Sequence, residues 1–305
     1  MKKKAYLQVS FTWLFAIIVG AVILFLAIYF SAKIINTGQE EVSLKTGKNF
    51  VVLTNPLEIG FEKSKSNDIT FPVETRLYTG CDANGEFGRQ LTQISQKSFN
   101  TWTKPEGNIS SINKYYFSER YVEGRKVYLF SKPFDFPFKV SDVIYITSSE
   151  KNYCFVQPPE NVAKEISAIN QSNFFLKNYP ENCIKVCFEE GSGCNISVDY
   201  NSKIVTKDKE TMHFEGDALM YGAIFSSPEN YECQVKRLMK RTKNLALLYE
   251  SKAEYVSTKG CNTNLNLIGL AGTIDGFQNS LDLGEVNTIA NEISENNYWA
   301  NCHLW

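Results

Sequence analysis

An α+β fold follows from three features of the 305-residue chain: an uncharged apolar run near its N-terminus, β-branched and aromatic runs through its middle, and apolar residues at helical spacing towards its end. These predict an N-terminal transmembrane helix, an antiparallel β-rich ectodomain and a helical C-terminal part, stapled by disulfides. Hydrophobic residues at 43% and aromatics at 13% are enough to build a packed core. The 32 basic and 33 acidic residues give a formal charge of −1, which excludes a uniformly basic nucleic-acid binder.

The apolar run starts at Phe11 and stays uncharged to Ala32, long enough to cross a bilayer as a helix, which takes about 20 residues. A secretory signal has an apolar core of only about 7–15 residues and small residues at its cleavage site, where this chain has Tyr29 and Phe30. The segment 11–32 therefore reads as an uncleaved signal-anchor. Lys2, Lys3 and Lys4 precede it and Lys33 follows, so residues 1–10 form a cytoplasmic basic end and the remainder is extracellular, at the cell membrane. Setting aside those four lysines leaves 28 basic against 33 acidic residues in 34–305, a mildly acidic exterior.

Gln8-Val-Ser-Phe-Thr12-Trp-Leu-Phe, behind its basic stretch, resembles the start of archaeal type IV pilin-like proteins, in which a Gln-x-Ser motif leads into a hydrophobic assembly helix. Those signals carry Gly before the Gln and Glu four residues after it; here the positions hold Leu7 and Thr12. Phe134-Asp-Phe-Pro-Phe-Lys-Val and Tyr231-Glu-Cys-Gln-Val-Lys-Arg-Leu are similar to uncharacterised single-pass surface proteins of small-genome archaea. The first resemblance implies a filament subunit and the second a surface protein, without any assigned site.

Residues 33–60 are weakly amphipathic, broken by Gly38, Gly47 and Pro56, and predict a helical stalk. The β-rich ectodomain spans 61–225, with strands at Lys126–Phe130, Lys139–Thr147 and Tyr153–Val156 and a short helix over Glu160–Asn170. The helical part spans 226–305. Ser226, Pro228 and Glu229 read as a capping-box start for a long helix over 228–257, closed by Gly260. Two further stripes, Leu267, Leu270, Ile274, Phe277, Leu281 and Val286, Ile289, Ala290, Ile293, predict two more helices.

The cysteines, Cys81, Cys154, Cys183, Cys187, Cys194, Cys233, Cys261 and Cys302, are even in number and lie beyond the anchor, which favours disulfides in an oxidising compartment over zinc. Eight cysteines allow 105 connectivities. Cys187 and Cys194 flank a Gly-rich turn and are expected to face each other across a hairpin, while Cys233, Cys261 and Cys302 are expected to staple the C-terminal helices. Sequons at Asn108, Asn170 and Asn195 are glycosylation candidates.

His213, Glu215 and Asp217 alternate, as metal ligands on one strand face would, but a half-buried strand with Phe214 inward gives the same pattern. Asp82-Ala-Asn-Gly-Glu86 resembles a calcium loop with its Gly misplaced, and reads better as a plain turn. Lys236, Arg237, Lys240, Arg241 and Lys243 predict a positive stripe on the long helix, which would be either a solvated face or a contact for anionic headgroups or glycans. No metal or other cofactor is called for.

The chain lacks a Gly-x-Ser-x-Gly elbow, a phosphate loop, a dinucleotide fingerprint and a His-Glu-x-x-His motif, and it has only two histidines. The expectation is a non-enzymatic surface protein with a binding, adhesion or envelope-assembly role, partnered by the membrane and by another surface protein or a glycan, not by nucleic acid. A pilin-like filament subunit and an extracytoplasmic hydrolase using paired carboxylates are the alternatives, and oligomeric state stays open.

Overall fold

The computed structural model describes residues 11–57, 65–98, 100–105, 107–188 and 193–305. The predicted basic end with its Gln-x-Ser motif, the 58–64 junction and most of the Gly-rich turn between Cys187 and Cys194 lie outside them. The segments predicted as anchor and, for the most part, stalk form one helix, α1 (Phe11–Leu53), about 65 Å long at 1.5 Å per residue. Its Trp13–Ser31 segment is long and apolar enough to cross a membrane and is buried against nothing in the protein. Gly47 does not break α1, because a Cβ there would lie 2.5 Å from Cδ1 of Ile109; the missing side chain lets the helix settle onto the sheet, where Phe50 is buried. Pro56 falls beyond the helix, in a 3₁₀ turn at Asn55–Leu57.

The first sheet contains β1 (Lys65–Asp82), β2 (Arg89–Ser98), β3 (Thr101–Trp102), β4 (Ile109–Ser111), β5 (Tyr116–Phe117), β6 (Tyr121–Asp135) and β7 (Lys139–Ser148), in the order β3-β2-β1-β6-β7-β5 with β4 also on β2. All neighbours are antiparallel except β5 and β7, which run parallel. The run Val143-Ile-Tyr-Ile146 is apolar without a break because β7 is covered on both faces. Val143 and Tyr145 enter the main core, whereas Ile144 and Ile146 join Phe50, Leu57 and Leu77 in a smaller core beneath the end of α1.

The second sheet corrects the antiparallel expectation. It comprises β8 (Asn152–Val156), β9 (Phe174–Phe175), β10 (Cys183–Cys187), β11 (Ile196–Asp199), β12 (Ile204–Lys207) and β13 (Glu210–His213), in the order β13-β12-β11-β10-β8-β9. β8, β9, β10 and β11 are all parallel, and only β11, β12 and β13 alternate in direction. The cause is the predicted short helix, here α2 (Glu160–Ile169), which carries the chain back after β8 so that the next strands restart from the same end. Cys187 and Cys194 consequently do not face each other across a hairpin: Val186 pairs with Ile196 in parallel register.

Three of the four remaining helices match the predicted ones: α4 (Pro228–Ser257), α5 (Leu267–Asp275) and α6 (Leu283–Trp299). The N-cap of α4 is Ser227 rather than Ser226, its side chain accepting from the Asn230 backbone N–H. Leu281 leaves its predicted stripe and is exposed in a separate 3₁₀ turn. α3 (Gly216–Phe225) escapes sequence periodicity because it is buried on every side from Ala218 to Phe225. Its Phe225 stacks on Phe174 and meets Phe130 edge-on, and Phe130 stacks on Tyr145, so both sheets and α3 share one core. That core continues through Tyr231, Leu238, Leu270 and Ile293, and the composition change at Ser226 marks a change of secondary structure within continuous packing.

One face of α4 binds backbone rather than apolar surface. Asn230 Nδ2 donates to the carbonyls of Tyr116 and Ser118, Gln234 Nε2 to Tyr116 O and Gln90 Oε1, and the Arg237 guanidinium to Lys114 O, Ile112 O and Gln234 Oε1. Arg237 is completely buried over the Tyr115 ring, and that burial lowers its pKa to about 10. Replacing Arg237 with Ala takes the guanidinium from the buried Lys114 carbonyl and the part-buried Ile112 carbonyl and empties a large site, so chemical denaturation is expected to show a loss of about 3–5 kcal/mol. A loss below about 1 kcal/mol would show that the guanidinium is dispensable.

Candidate functional site

The eight cysteines stand in four pairs at disulfide distance: Cys81–Cys233, Cys154–Cys183, Cys187–Cys194 and Cys261–Cys302. The Cys187–Cys194 pairing agrees with the sequence reading, although the strands it joins are parallel. Cys261–Cys302 does tie the end of α4 to the end of α6. Cys233 does not belong to that staple; it joins α4 to β1 through Cys81.

The basic stripe on α4 is not the solvated face its spacing predicts. Arg237 is buried, Lys240 Nζ donates to the carbonyls of Ala83 and Gly85, Arg241 Nε donates to Val140 O, and Lys243 pairs with Asp275. Arg237, Lys240 and Arg241 thus hold backbone carbonyls and Lys243 an aspartate of α5, so four of the five cations have partners within the protein, although only Arg237 is buried. Lys236 lines a small pocket with Lys240 and Lys243, beside Glu86 and Asp275.

Asp82-Ala-Asn-Gly-Glu86 is a plain turn. Asp82 Oδ1 accepts from the backbone and side-chain amides of Asn84, and Oδ2 from Arg89; together these hold its carboxyl below the usual range. The loop carbonyls that a cation would use receive the Lys240 ammonium. The His213 trio also diverges. β13 ends at His213, Phe214 turns into the core, Glu215 pairs with Lys203, and Asp217 lies in the first turn of α3. No group of three or more metal-ligating side chains forms among the described residues.

Two carboxylates do converge, from elements that the sequence leaves far apart. Lys132 of β6 reaches Glu165 of α2 at 2.5 Å and Asp217 of α3 at 3.9 Å. The Tyr200 hydroxyl donates to Asp217 Oδ1 at 2.9 Å and accepts from Asn161 Nδ2 at 3.0 Å. Tyr221 is buried behind them, and its burial, with the nearby Glu165 and Asp217 charges, holds its phenol far above the ordinary range and therefore neutral. Carboxylate hydrolysis of a glycoside needs one free acid and one free base or nucleophile facing the scissile bond. Here a single ammonium serves both carboxylates, and the network instead clamps α2 and α3 against β6 and immobilises Tyr200.

Tyr200 also lines an open groove of about 850 Å³ over β11 and β12, walled by Pro158 and Pro159 on one side and Phe188 on another. Nothing in the sequence marked it, because its lining comes from four separate segments. The three sequon asparagines, Asn108, Asn170 and Asn195, are all exposed. Asn170 caps α2 in the left-handed conformation, and Asn195 Oδ1 accepts from the Lys185 backbone N–H.

Comparison with protein-family models, with curated proteins and with solved structures finds no match. The site therefore stands on its own geometry.

Two outcomes test it. Serine replacement of Cys81–Cys233, which closes a separation of 152 residues, should cost about 5 kcal/mol, against about 2 kcal/mol for Cys187–Cys194 with its separation of 7. Denaturant melts that reverse this order would contradict the pairing. Because the folded-state pKa of Asp82 is depressed, its contribution to stability is fully present above the unfolded value of about 3.9 and is lost as pH falls through the folded value. Carbon-detected NMR titration should place Asp82 below that reference, and an ordinary midpoint would remove the turn clip.

Proposed function

We propose that the protein is a membrane-anchored extracytoplasmic surface protein whose folded part serves binding, adhesion or envelope assembly. The observation that carries this reading is α1: its N-terminal half is apolar and bare, and the same unbroken helix seats on the first sheet from about Leu44, whose side chain meets Gly107. From Ser31 to Leu44 the helix rises about 20 Å, which sets the folded part off from the bilayer on a stiff rod. The combination of an exposed N-terminal apolar helix and four cysteine pairs is that of a secreted or membrane-anchored protein. The three lysines before the span favour a cytoplasmic N-terminus, and exposure of Asn108, Asn170 and Asn195 suits them as glycan acceptors.

A second reading, a pilin-like filament subunit, is favoured by one specific feature. In α1 a naked apolar half continues directly into a half packed on a largely antiparallel sheet, so copies could bundle their apolar halves in a filament core. The carboxylate hydrolase reading is weakened, since Lys132 bridges the pair that would act.

Membrane fractionation with external protease tests the first reading. The chain is expected to resist carbonate extraction, and its cysteine-bearing part to be digested from outside the cell. Release of the intact chain in soluble form would overturn it. Intact-mass measurement separates the second reading: loss of the residues before Gln8 would support pilin-type processing, and their retention would exclude it.

A further inference from the structure

Resting on the binding reading above, we propose that the groove over β11 and β12 is a binding site for neutral oligosaccharide. The lining selects the ligand class by what it offers and by what it lacks. Among the described residues that line it, Asp199 is the one with a formal charge, and none is a lysine or arginine that would hold a phosphate, sulfate or carboxylate. Asp199 closes a turn: its Oδ1 accepts from the backbone N–H groups of Asn201 and Ser202, and the Ser202 side chain adds a further hydrogen bond to the carboxyl, which stays ionised and exposed at the groove. A lone carboxylate of this kind accepts hydrogen bonds from hydroxyls and repels anions. Gln157 and Asn201 add carboxamides that donate and accept in the same site, matching the mixed character of sugar hydroxyls.

The apolar contribution is aromatic and pre-set. Tyr200 is held through its hydroxyl by Asn161 and Asp217, with its ring against Phe214, so it offers a fixed face at little further entropic cost. Lys132 and Glu165 thereby become positioning residues for the platform, which gives the polar cluster a role outside catalysis. Gln157, also in the lining, lies at φ 51°, a left-handed conformation uncommon for a residue with a side chain and one that concentrates at binding sites.

Peptide recognition is disfavoured by topology. An extended peptide adds to the open edge of a strand, and β12 is paired on both sides, as are Ile196 and Ser197 of β11. The groove's size lies within the range of ordinary ligand sites.

The experiment presents the full-length chain, in nanodiscs free of glycolipid, to an array of neutral, sialylated and sulfated oligosaccharides and of peptides. Neutral members are expected to bind. Tyr200→Ala should weaken the best of them about tenfold, an effect equivalent to roughly 1.4 kcal/mol. Tyr200→Phe, which keeps the ring, should retain most of the affinity, and Asn201→Ala should weaken it. Thermal melting of each variant establishes that the fold is intact. The proposal is overturned if no neutral glycan binds, if Tyr200→Ala binds as well as the parent, or if anionic glycans or peptides are preferred. A chain that proves membrane-anchored and externally digestible but fails on the array loses this inference alone.

Discussion

Segment 112–118 reaches the edge of the first sheet with β7 on one side and, among the described residues, no strand on the other, and α4 takes that strand's place. The carbonyls of residues 114, 116 and 118 lie at alternate positions in and on either side of β5 and, with that of Ile112 in the bend before it, accept from side chains at positions 230, 234 and 237 of the helix. A helix rises 1.5 Å per residue and a strand about 3.3 Å, so equal steps cannot stay in register. The mismatch is absorbed by side-chain length: the carboxamide of Asn230 serves two carbonyls close by, and the guanidinium of Arg237 reaches the two farthest. Gly88 completes the arrangement, because a Cβ there would meet Arg237 Cγ at 2.8 Å. Much else follows from this docking. It fixes the axis of α4, and with it α5 and α6, against the sheet, and it brings Cys233 to Cys81.

A similar solution holds the other buried helix. α3 ends inside the protein, where its last carbonyls have no water to bind. Lys207 of β12 is buried there and donates to Ile224 O and Ser226 O while pairing with Glu119. The cation thus satisfies the negative end of the helix and joins the second sheet to the segment leading into β6. Arg237, Lys240 and Arg241 act in the same way, on backbone carbonyls at a sheet edge and in turns.

The polar cluster around Lys132 follows the same logic with a different outcome. α2 and α3 are each ten residues long and would be marginal alone. Their polar residues Asn161, Glu165 and Asp217 meet at β6, and the apolar faces behind them close over Phe130 and Tyr145. What remains at the surface is a rigid rim bearing Tyr200, next to a groove with little charge.

Local signals determined a good part of this protein. The apolar run of α1, the limits of α2 and α4 and the centres of β6 and β7 are written in composition and period, because each depends on residues close in sequence. The Cys187–Cys194 pair was legible because only a short turn separates its members. α3 was not legible, since a helix covered on all sides has no polar face to give it a period, and the parallel half of the second sheet was not, since strand direction depends on where a crossover delivers the chain. The basic stripe misled for a related reason: spacing places charges on one helix face, but only packing decides whether that face meets water or a row of carbonyls. The convergence of Lys132, Glu165, Asp217 and Tyr200, and the groove beside them, belongs wholly to the tertiary structure, because these residues come from four elements and no local pattern encodes their meeting.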